Sequence, residues 1–322
     1  MIFSSKASSH WHSARAGVMA VVFAGLMGAC GGGTSQFEPF VAQRVFAFGD
    51  DASVLRSDGK RYGVNGLNAT SGLLDCSLEP VWVQFIAGAY GHVFAECNLS
   101  TPPLEPKAFM RAAAGARVAE LAAQVDAQVA AGGMREHDLA LVTAGVNDVL
   151  ELYAQYPAVS EASLLAEARA RGERLAAVVN RLVSLGAKVI VANLPDMGMS
   201  PFARAQALAN ANSGIDRAAL ISRLTTAFNE RLGVSVLLDG RFVGLAQMDL
   251  RSQAANRSPL SFGLVDVSTA ACTTALPDCS TATLVSGATA STFLWADGTR
   301  MASGGQAILT GLALERAQRN PF

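Results

Sequence analysis

Three short polar turns in this 322-residue sequence carry side chains suited to catalysis. They are GDDA at 49–52, GVND at 145–148 and NLPDMG at 193–198, and each follows an apolar run. Nucleophilic hydrolysis needs a nucleophile in such a turn, hydrogen-bond donors for the developing oxyanion, and a neutral base. Asp51 stands at the position in the first turn where the nucleophile is expected.

The elements that position these turns alternate between strand-like and helix-like segments. Buried strands are predicted for RVFAFGD, HDLALVTAG, AKVIVANLP and GVSVLLD, the last at 233–239. Helices are predicted in between, including 160–186 with Ser160 as its N-cap, 216–232, and 301–318 at the end. This alternation predicts a single doubly wound, three-layer α/β domain over residues 41–322, with a central parallel sheet. Ligands of such folds bind at the carboxyl ends of the strands, where the three turns lie.

The N-terminal segment has the composition of an export signal. Lys6 and Arg15 precede the apolar run AGVMAVVFAGLMGA, so residues 1–29 are predicted to be a signal peptide. The sequence LMGAC resembles a bacterial lipobox, in which Cys30 is lipidated and residues 30–40 form a tether. This predicts an exported protein, lipid-anchored in the bacterial cell envelope at the outer membrane or on the periplasmic side. Ordinary signal-peptide cleavage near Cys30 is the alternative.

Five cysteines are an odd number for an exported chain. Lipidation of Cys30 leaves four, and an even number in an oxidising compartment favours two disulfides. Local pairing, Cys76 with Cys97 and Cys272 with Cys279, is the prediction, although four cysteines allow three pairings. Buried free thiols are the alternative. Zinc is excluded because the spacing of the cysteines does not fit a zinc site.

The overall charge argues against nucleic acid as a partner. The formal net charge is −1, and no run rich in Lys or Arg provides the clustered basic face that a phosphate backbone requires. No cofactor and no metal are predicted. Carboxylates at 50, 51, 148 and 297 suit Ca²⁺ or Mg²⁺, but Arg300 competes for them.

Four sequence blocks, in order, resemble SGNH/GDSL-type ester hydrolases from about Val45 to the C-terminus. VFAFGDDAS matches the nucleophile block, with Gly49 and Asp50. AAAGARV matches the second block through Gly115, and TAGVNDVL matches the third through Gly145, Asn147 and Asp148. LWADGTRMASGGQ matches the last block through Asp297. The resemblance implies the SGNH-hydrolase variant of the flavodoxin-like fold, with Gly115 and Asn147 as oxyanion donors.

Two departures from the family pattern affect the catalytic triad. Asp51 replaces the nucleophilic serine, and Arg300 replaces the histidine. Arginine stays protonated in proteins, so Arg300 is not a base. His92 follows a helix and His137 precedes a strand, so neither is predicted to reach the site.

Ser53 is no evident substitute for the nucleophile. A helical continuation would turn its side chain away from Asp51, so it is predicted to cap or face solvent at that turn. Asp50 and Asp148 are predicted to brace their turns through backbone hydrogen bonds.

A compensated pair of substitutions is the simplest physical interpretation. Asp51, Arg300 and Asp297 would form an ion-pair network in the space of the triad, since carboxylates and guanidinium groups pair strongly. The alternative is that Arg300 points to solvent.

The family chemistry is hydrolysis of ester bonds. The departures predict a catalytically impaired copy that acts in ligand binding or envelope structure, with a small ester or an acyl- or sugar-like ligand. The alternative is an active carboxylic-ester hydrolase with a non-standard nucleophile or base.

Overall fold

The computed structural model describes residues 40–322. The expected signal peptide (1–29) and Cys30 lie outside the described residues, as does the tether (30–40) apart from Phe40. None of the helices in the described part of the chain is long and apolar enough to cross a membrane.

Five parallel strands form the central sheet. Their spatial order is β2-β1-β3-β4-β5. The bounds are β1 Arg44–Gly49, β2 Ala108–Met110, β3 Asp138–Thr143, β4 Lys188–Ala192 and β5 Val243–Ala246. The strands β1, β3 and β4 are buried along almost their whole length, which is typical of a parallel sheet covered on both faces. A second, two-stranded parallel sheet pairs β6 (Asp266–Ala270) with β7 (Phe293–Trp295).

Helices cover both faces of the central sheet. Their bounds are α1 Trp82–Ala89, α2 Val118–Ala130, α3 Val146–Ala154, α4 Glu161–Ser184, α5 Pro201–Ala209, α6 Arg217–Ser235, α7 Met248–Arg257 and α8 Ser303–Arg319. On one face α8 packs against α1, α7, β4 and β5; on the other, α4 packs against α2, α3, α6 and β4. The predicted three-layer α/β class is therefore confirmed, with the flavodoxin-like strand order.

Helix starts follow the capping residues that the sequence offers. The Ser160 hydroxyl accepts from the backbone N of Ser163 at 3.3 Å and begins α4, as predicted. The Asp216 carboxylate accepts from Ala219 N at 3.0 Å and begins α6 in the same way. These side chains occupy backbone donors that the first helical turn leaves unpaired.

The predicted strand at 233–239 is wrong. The helix α6 continues through Gly233 to Ser235, and the edge strand forms later, at Val243–Ala246. Asn180 of α4 donates to Ser235 O and accepts from Leu237 N, so this segment is held beside a helix rather than in the sheet. The apolar runs at 233–239 and 243–246 resemble each other locally, and a tertiary contact determines that the second one forms the edge strand.

Both predicted disulfides are present. Cys76 is bonded to Cys97, and Cys272 is bonded to Cys279. The segments that carry Cys76 and Cys279 contact each other, because Asn65 N donates to Cys279 O at 3.0 Å and its side chain donates to Pro277 O. A small second core forms there, built from Val64, Ala271, Cys279, Ala290, Phe293, Ala296 and Ala302. We call these two connected segments, residues 61–79 and 271–281, the rim, since they border the carboxyl-end turns of the sheet.

Candidate functional site

Two glycines allow the site turns to approach each other closely. Gly49 has φ +128°, and a Cβ there would lie 1.8 Å from Thr143 O at the end of β3. Gly145 has φ +130°, and a Cβ there would lie 2.5 Å from the Phe228 ring. A larger residue at 49 would push the first motif turn away from the end of β3, and one at 145 would push the third motif turn away from Phe228 of α6.

Asp51 is buried at the end of β1, and its carboxylate receives the two predicted oxyanion donors. Gly115 N donates to Asp51 Oδ2 at 3.0 Å, and Asn147 Nδ2 donates to the same oxygen at 2.9 Å. Asn147 Nδ2 also lies 3.0 Å from Ala116 O, which fixes its orientation. The structure thus brings Asp51, Gly115 and Asn147 together, and one oxygen of the protein's own carboxylate occupies both donors.

Arg300 lies on the other side of the same carboxylate and does not point only to solvent. Its Nε is 3.3 Å from Asp51 Oδ1, within ion-pair distance. The Nε–H does not point at that oxygen, and no acceptor for it is present among the described residues. Burial alone would lower the pKa of Arg300, but the charges of Asp51 and Asp297 outweigh it and raise the pKa. The guanidinium therefore stays charged, which excludes it as a general base.

Asp297 holds the turn that presents Arg300. Its Oδ1 accepts from Thr299 N at 2.8 Å and from Arg300 N at 2.6 Å. Its Oδ2 accepts from Arg300 Nη1 at 3.2 Å. The predicted trio of Asp51, Arg300 and Asp297 is thus assembled, with a bonded Arg300–Asp297 pair and a looser Arg300–Asp51 contact.

Asp50 combines the predicted bracing role with an unpaired oxygen. Its Oδ1 accepts from Ala52 N at 3.1 Å, but its buried Oδ2 has no partner among the described residues. Burial raises the pKa of Asp50 to about 7, and the neighbouring Asp51 charge adds to the effect. Asp50 is therefore a carboxyl group that exchanges its proton near neutral pH.

Asp148 braces the base of the third motif turn, as predicted. Its Oδ2 accepts from Val118 N at 2.9 Å, and its Oδ1 lies 3.3 Å from Arg171 Nη1. Burial raises the pKa of Asp148, and these two contacts counteract part of the rise. The side chain joins α3, α2 and α4 behind the site rather than facing a ligand.

Ser53 and the two histidines of the described chain lie away from the chemistry. Ser53 is fully buried, and its hydroxyl accepts from the Trp82 indole N at 3.1 Å, so the expectation of a capping or solvent-facing side chain is wrong. His92 Nε2 pairs with Ala42 O at 2.8 Å, just before β1. His137 immediately precedes β3 and stacks on Phe40. Both histidines thus lie at the opposite end of the sheet from Asp51.

The cavity beside these groups is small and partly open. Its volume is about 30 Å³. The lining residues are Asp50, Asp51, Ala52, Thr143, Val146, Asn147, Asn193, Pro195, Met248, Thr299, Arg300, Met301 and Leu309. One or two water molecules fit such a volume, and the unpaired oxygen of Asp50 and Nε of Arg300 are suitable partners for them. Within residues 40–322, no group of three or more His, Cys, Asp or Glu side chains is arranged to hold a metal ion.

Sequence comparisons give no assignment. No protein-family model matches the sequence, and no curated protein matches it.

Three solved structures that resemble the chain are described as a lipolytic-family protein, a lipase and an acetylxylan esterase. A member of the lipolytic G-D-S-L family from Veillonella parvula is 10% identical over 84% of this chain and 96% of its own, with a TM-score of 0.44. A lipase from a goat rumen metagenome is 13% identical over 87% and 99%, with a TM-score of 0.47. An acetylxylan esterase from Geobacillus stearothermophilus is 15% identical over 87% and 96%, with a TM-score of 0.39.

The chain resembles SGNH/GDSL-type ester hydrolases. The sheet order of this chain establishes its fold class. The roles of its residues rest on its own geometry.

Two features of the site were not predicted from sequence. The Tyr62 ring lies 5.9 Å from the Arg300 guanidinium carbon, and it is presented by the rim. Nothing in the sequence around Tyr62 indicates this contact, which depends on long-range packing. The unpaired state of Asp50 also escaped prediction, although its place beside Asp51 in a buried turn was a usable signal.

Proposed function

We propose that this protein is a catalytically silent relative of the ester hydrolases it resembles. It acts by binding a ligand or as a structural component of the cell envelope, to which a lipid on Cys30 anchors it. One observation carries the proposal: Asp51 Oδ2 accepts from both Gly115 N and Asn147 Nδ2. In an acyl-transfer reaction these donors must face the oxyanion of the intermediate, and here a permanent carboxylate occupies them.

The missing base supports the same proposal. Arg300 stands close to Asp51 where a neutral imidazole would be needed, and its charge neutralises the carboxylate rather than activating a nucleophile. The small cavity beside Arg300 leaves little room for an acyl group while Asp51 and Arg300 hold their observed positions. A ligand of the cleft, a small ester or an acyl- or sugar-like molecule, would therefore bind at its open side.

An active ester hydrolase with a non-standard mechanism is the second candidate. Its specific support is Asp50, whose raised pKa of about 7 and unpaired Oδ2 suit a general base beside an Asp51 nucleophile. The contacts of Asp51 oppose this mechanism, because a nucleophilic oxygen that accepts two hydrogen bonds is less reactive.

Hydrolysis of short-chain nitrophenyl esters distinguishes the two candidates. The wild-type chain, Asp51→Ala and the double variant Asp51→Ser with Arg300→His are compared at equal concentration. The proposal expects no activity above background in the wild type, and measurable activity in the double variant, where a serine, an imidazole and free oxyanion donors are restored together.

The controls separate the possible results. Arg300→His alone is the matched control, since it supplies the imidazole while Asp51 still occupies the donors; it is expected to be silent. Wild-type activity that disappears in Asp51→Ala would overturn the proposal and make Asp51 catalytic. Binding is measured separately, by the shift in thermal unfolding that short-chain esters and oligosaccharides cause in the wild type.

A further inference from the structure

All five strands of the central sheet are parallel, so the segments that precede them share one edge of the molecule. We call this edge the floor and define it by residues 40–43, 104–107, 135–137, 186–187 and 234–242. The candidate site lies at the opposite edge, where the strands end.

Side-chain and backbone contacts join the segments of the floor. Gln43 N donates to His137 O at 2.8 Å, which links the starts of β1 and β3. Lys188 Nζ donates to Arg241 O at 2.6 Å, which links the starts of β4 and β5. A groove lined by Val41, Gln43, Glu105, Lys107, Arg135 and Glu136 links the starts of β1, β2 and β3. A Cβ at Gly186 would lie 3.6 Å from Arg135 C, so the start of β4 also adjoins the start of β3, and the floor is one continuous surface.

Large apolar side chains are exposed on this surface. Val41 is 63% exposed, Leu104 49%, Val234 74%, Leu237 46% and Leu238 65%. Single exposed apolar residues are ordinary, but three of these five lie within one five-residue run, at the end of α6 and beyond it. Since aqueous exposure of such a run is unfavourable, the run indicates a surface that is covered in the working protein.

The segment of chain that leads to Cys30 joins the domain at this same surface. The Phe40 ring packs against Tyr90 and Phe322, with ring centroids 6.2 Å and 5.5 Å apart, directly before β1. Ten chain steps lead from Cys30 to Phe40. At about 3.6 Å per residue they span at most about 36 Å, so a lipidated Cys30 would keep the floor close to the bilayer.

We propose that the floor is a membrane-contacting surface: Val41, Leu104 and the 234–238 run rest in the outer part of a phospholipid bilayer, and the Asp51 cleft faces away from it. The inference rests on the lipid anchor of the proposed function. The charges of the floor are roughly balanced between Lys107, Arg135 and Arg241 on one side and Glu105, Glu136 and Asp239 on the other. Apolar contact rather than charge therefore holds the surface to the lipid.

Quenching of tryptophan fluorescence by brominated lipid tests this orientation. The mature lipidated protein is reconstituted in phosphatidylcholine vesicles with brominated acyl chains, as Leu238→Trp or as Leu208→Trp. Leu208 is the matched control, because it is 80% exposed and lies on α5, whose Phe202 N donates to Gly298 O beside the cleft. Trp82 and Trp295 are fully buried and add little quenchable background.

The proposal expects Leu238→Trp to lose most of its added emission, and Leu208→Trp to keep it. Equal quenching at both positions, or none at Leu238→Trp in membrane-bound protein, would overturn it. The Cys30→Ser variant separates this failure from failure of the anchor: if the wild type and Cys30→Ser distribute equally between vesicles and buffer, the anchor itself is wrong and the orientation falls with it.

Discussion

The central contact of the molecule, at the scale of single residues, is the carboxylate of Asp51 between two neutral donors and one cation. Gly115 N and Asn147 Nδ2 hold one oxygen, and Arg300 lies beside the other. Because Asp51 keeps two hydrogen bonds when Arg300 is removed, its charge is not left without partners. Removal of Arg300 should therefore destabilise the protein less than removal of one partner from a fully buried ion pair.

A double-mutant cycle measures that dependence. Arg300→Gln, Asp51→Asn and the double variant are compared by urea unfolding at pH 7, and we expect a coupling free energy of about 1–2 kcal/mol, because Arg300 is 31% exposed and partly screened. The Arg56–Asp58 pair is the control, since both of its side chains are more than 40% exposed, and its coupling is expected to be smaller because solvent screens it. Coupling at the site no larger than at the control pair would contradict the ion-pair network.

Asp50 predicts an unusual pH dependence of stability. Its pKa is about 7 in the folded state against 3.8 for an ordinary aspartate. Folding therefore favours the protonated form of Asp50. The free-energy cost that its ionised form imposes on folding is nearly absent below pH 4, grows as the pH rises to 7, and is constant above that. Three pKa units correspond to about 4 kcal/mol.

The measurement compares wild type and Asp50→Asn by urea unfolding from pH 4 to pH 8. The variant carries no titrating group there, so its stability relative to wild type should increase by about 4 kcal/mol between pH 4 and pH 7. Asp239→Asn is the control: hydrogen bonds from Arg241 lower the pKa of Asp239 to about 2, so its titration lies below pH 4 and its difference from wild type should stay nearly constant from pH 4 to pH 8. A difference between wild type and Asp50→Asn that does not change with pH would show that folding does not raise the pKa of Asp50.

At the scale of elements, the sequence predicted the framework and missed what long-range packing decides. Ser160 and Asp216 are local signals, and the helices they begin were predicted correctly. The run at 233–239 alternates like a strand, but Asn180 from a distant helix holds it outside the sheet. The contact of Tyr62 with Arg300 likewise depends on segments that are far apart in sequence, so no local pattern reports it.

The two disulfides should contribute unequally. Cys76–Cys97 closes 21 residues and Cys272–Cys279 closes 7. Because a longer closed loop restricts the unfolded chain more, replacing the first pair with alanines should cost about 3 kcal/mol and the second about 2 kcal/mol. Urea unfolding of the two double-alanine variants at one pH gives the comparison. The reverse order would mean that the small core around Cys279, and not loop closure, dominates.

At the scale of the whole molecule, the parallel sheet separates two surfaces by the length of its strands. The site motifs could be assigned to one edge from sequence, because parallel strands place their carboxyl ends together. The occupation of the oxyanion donors could not, since it depends on distances of about 3 Å between turns 64 and 96 residues apart. The sequence motifs thus predicted which residues meet, and only the three-dimensional structure shows which atoms form the hydrogen bonds.

The rim has a consequence for how the protein must be made. Cys279 O accepts from Asn65 N, Cys272 N donates to Ala296 O at 3.0 Å, and Ala296 N donates to Arg300 O at 2.8 Å, so the segment closed by Cys272–Cys279 is connected to the Arg300 turn. A chain produced in a reducing cytoplasm would lack both bridges while the central sheet, which contains no cysteine, still folds. Protein made in this way would show normal secondary structure, although the Arg300 turn beside the cleft would be less firmly fixed. Secretion into an oxidising compartment is the route by which the cleft is obtained intact.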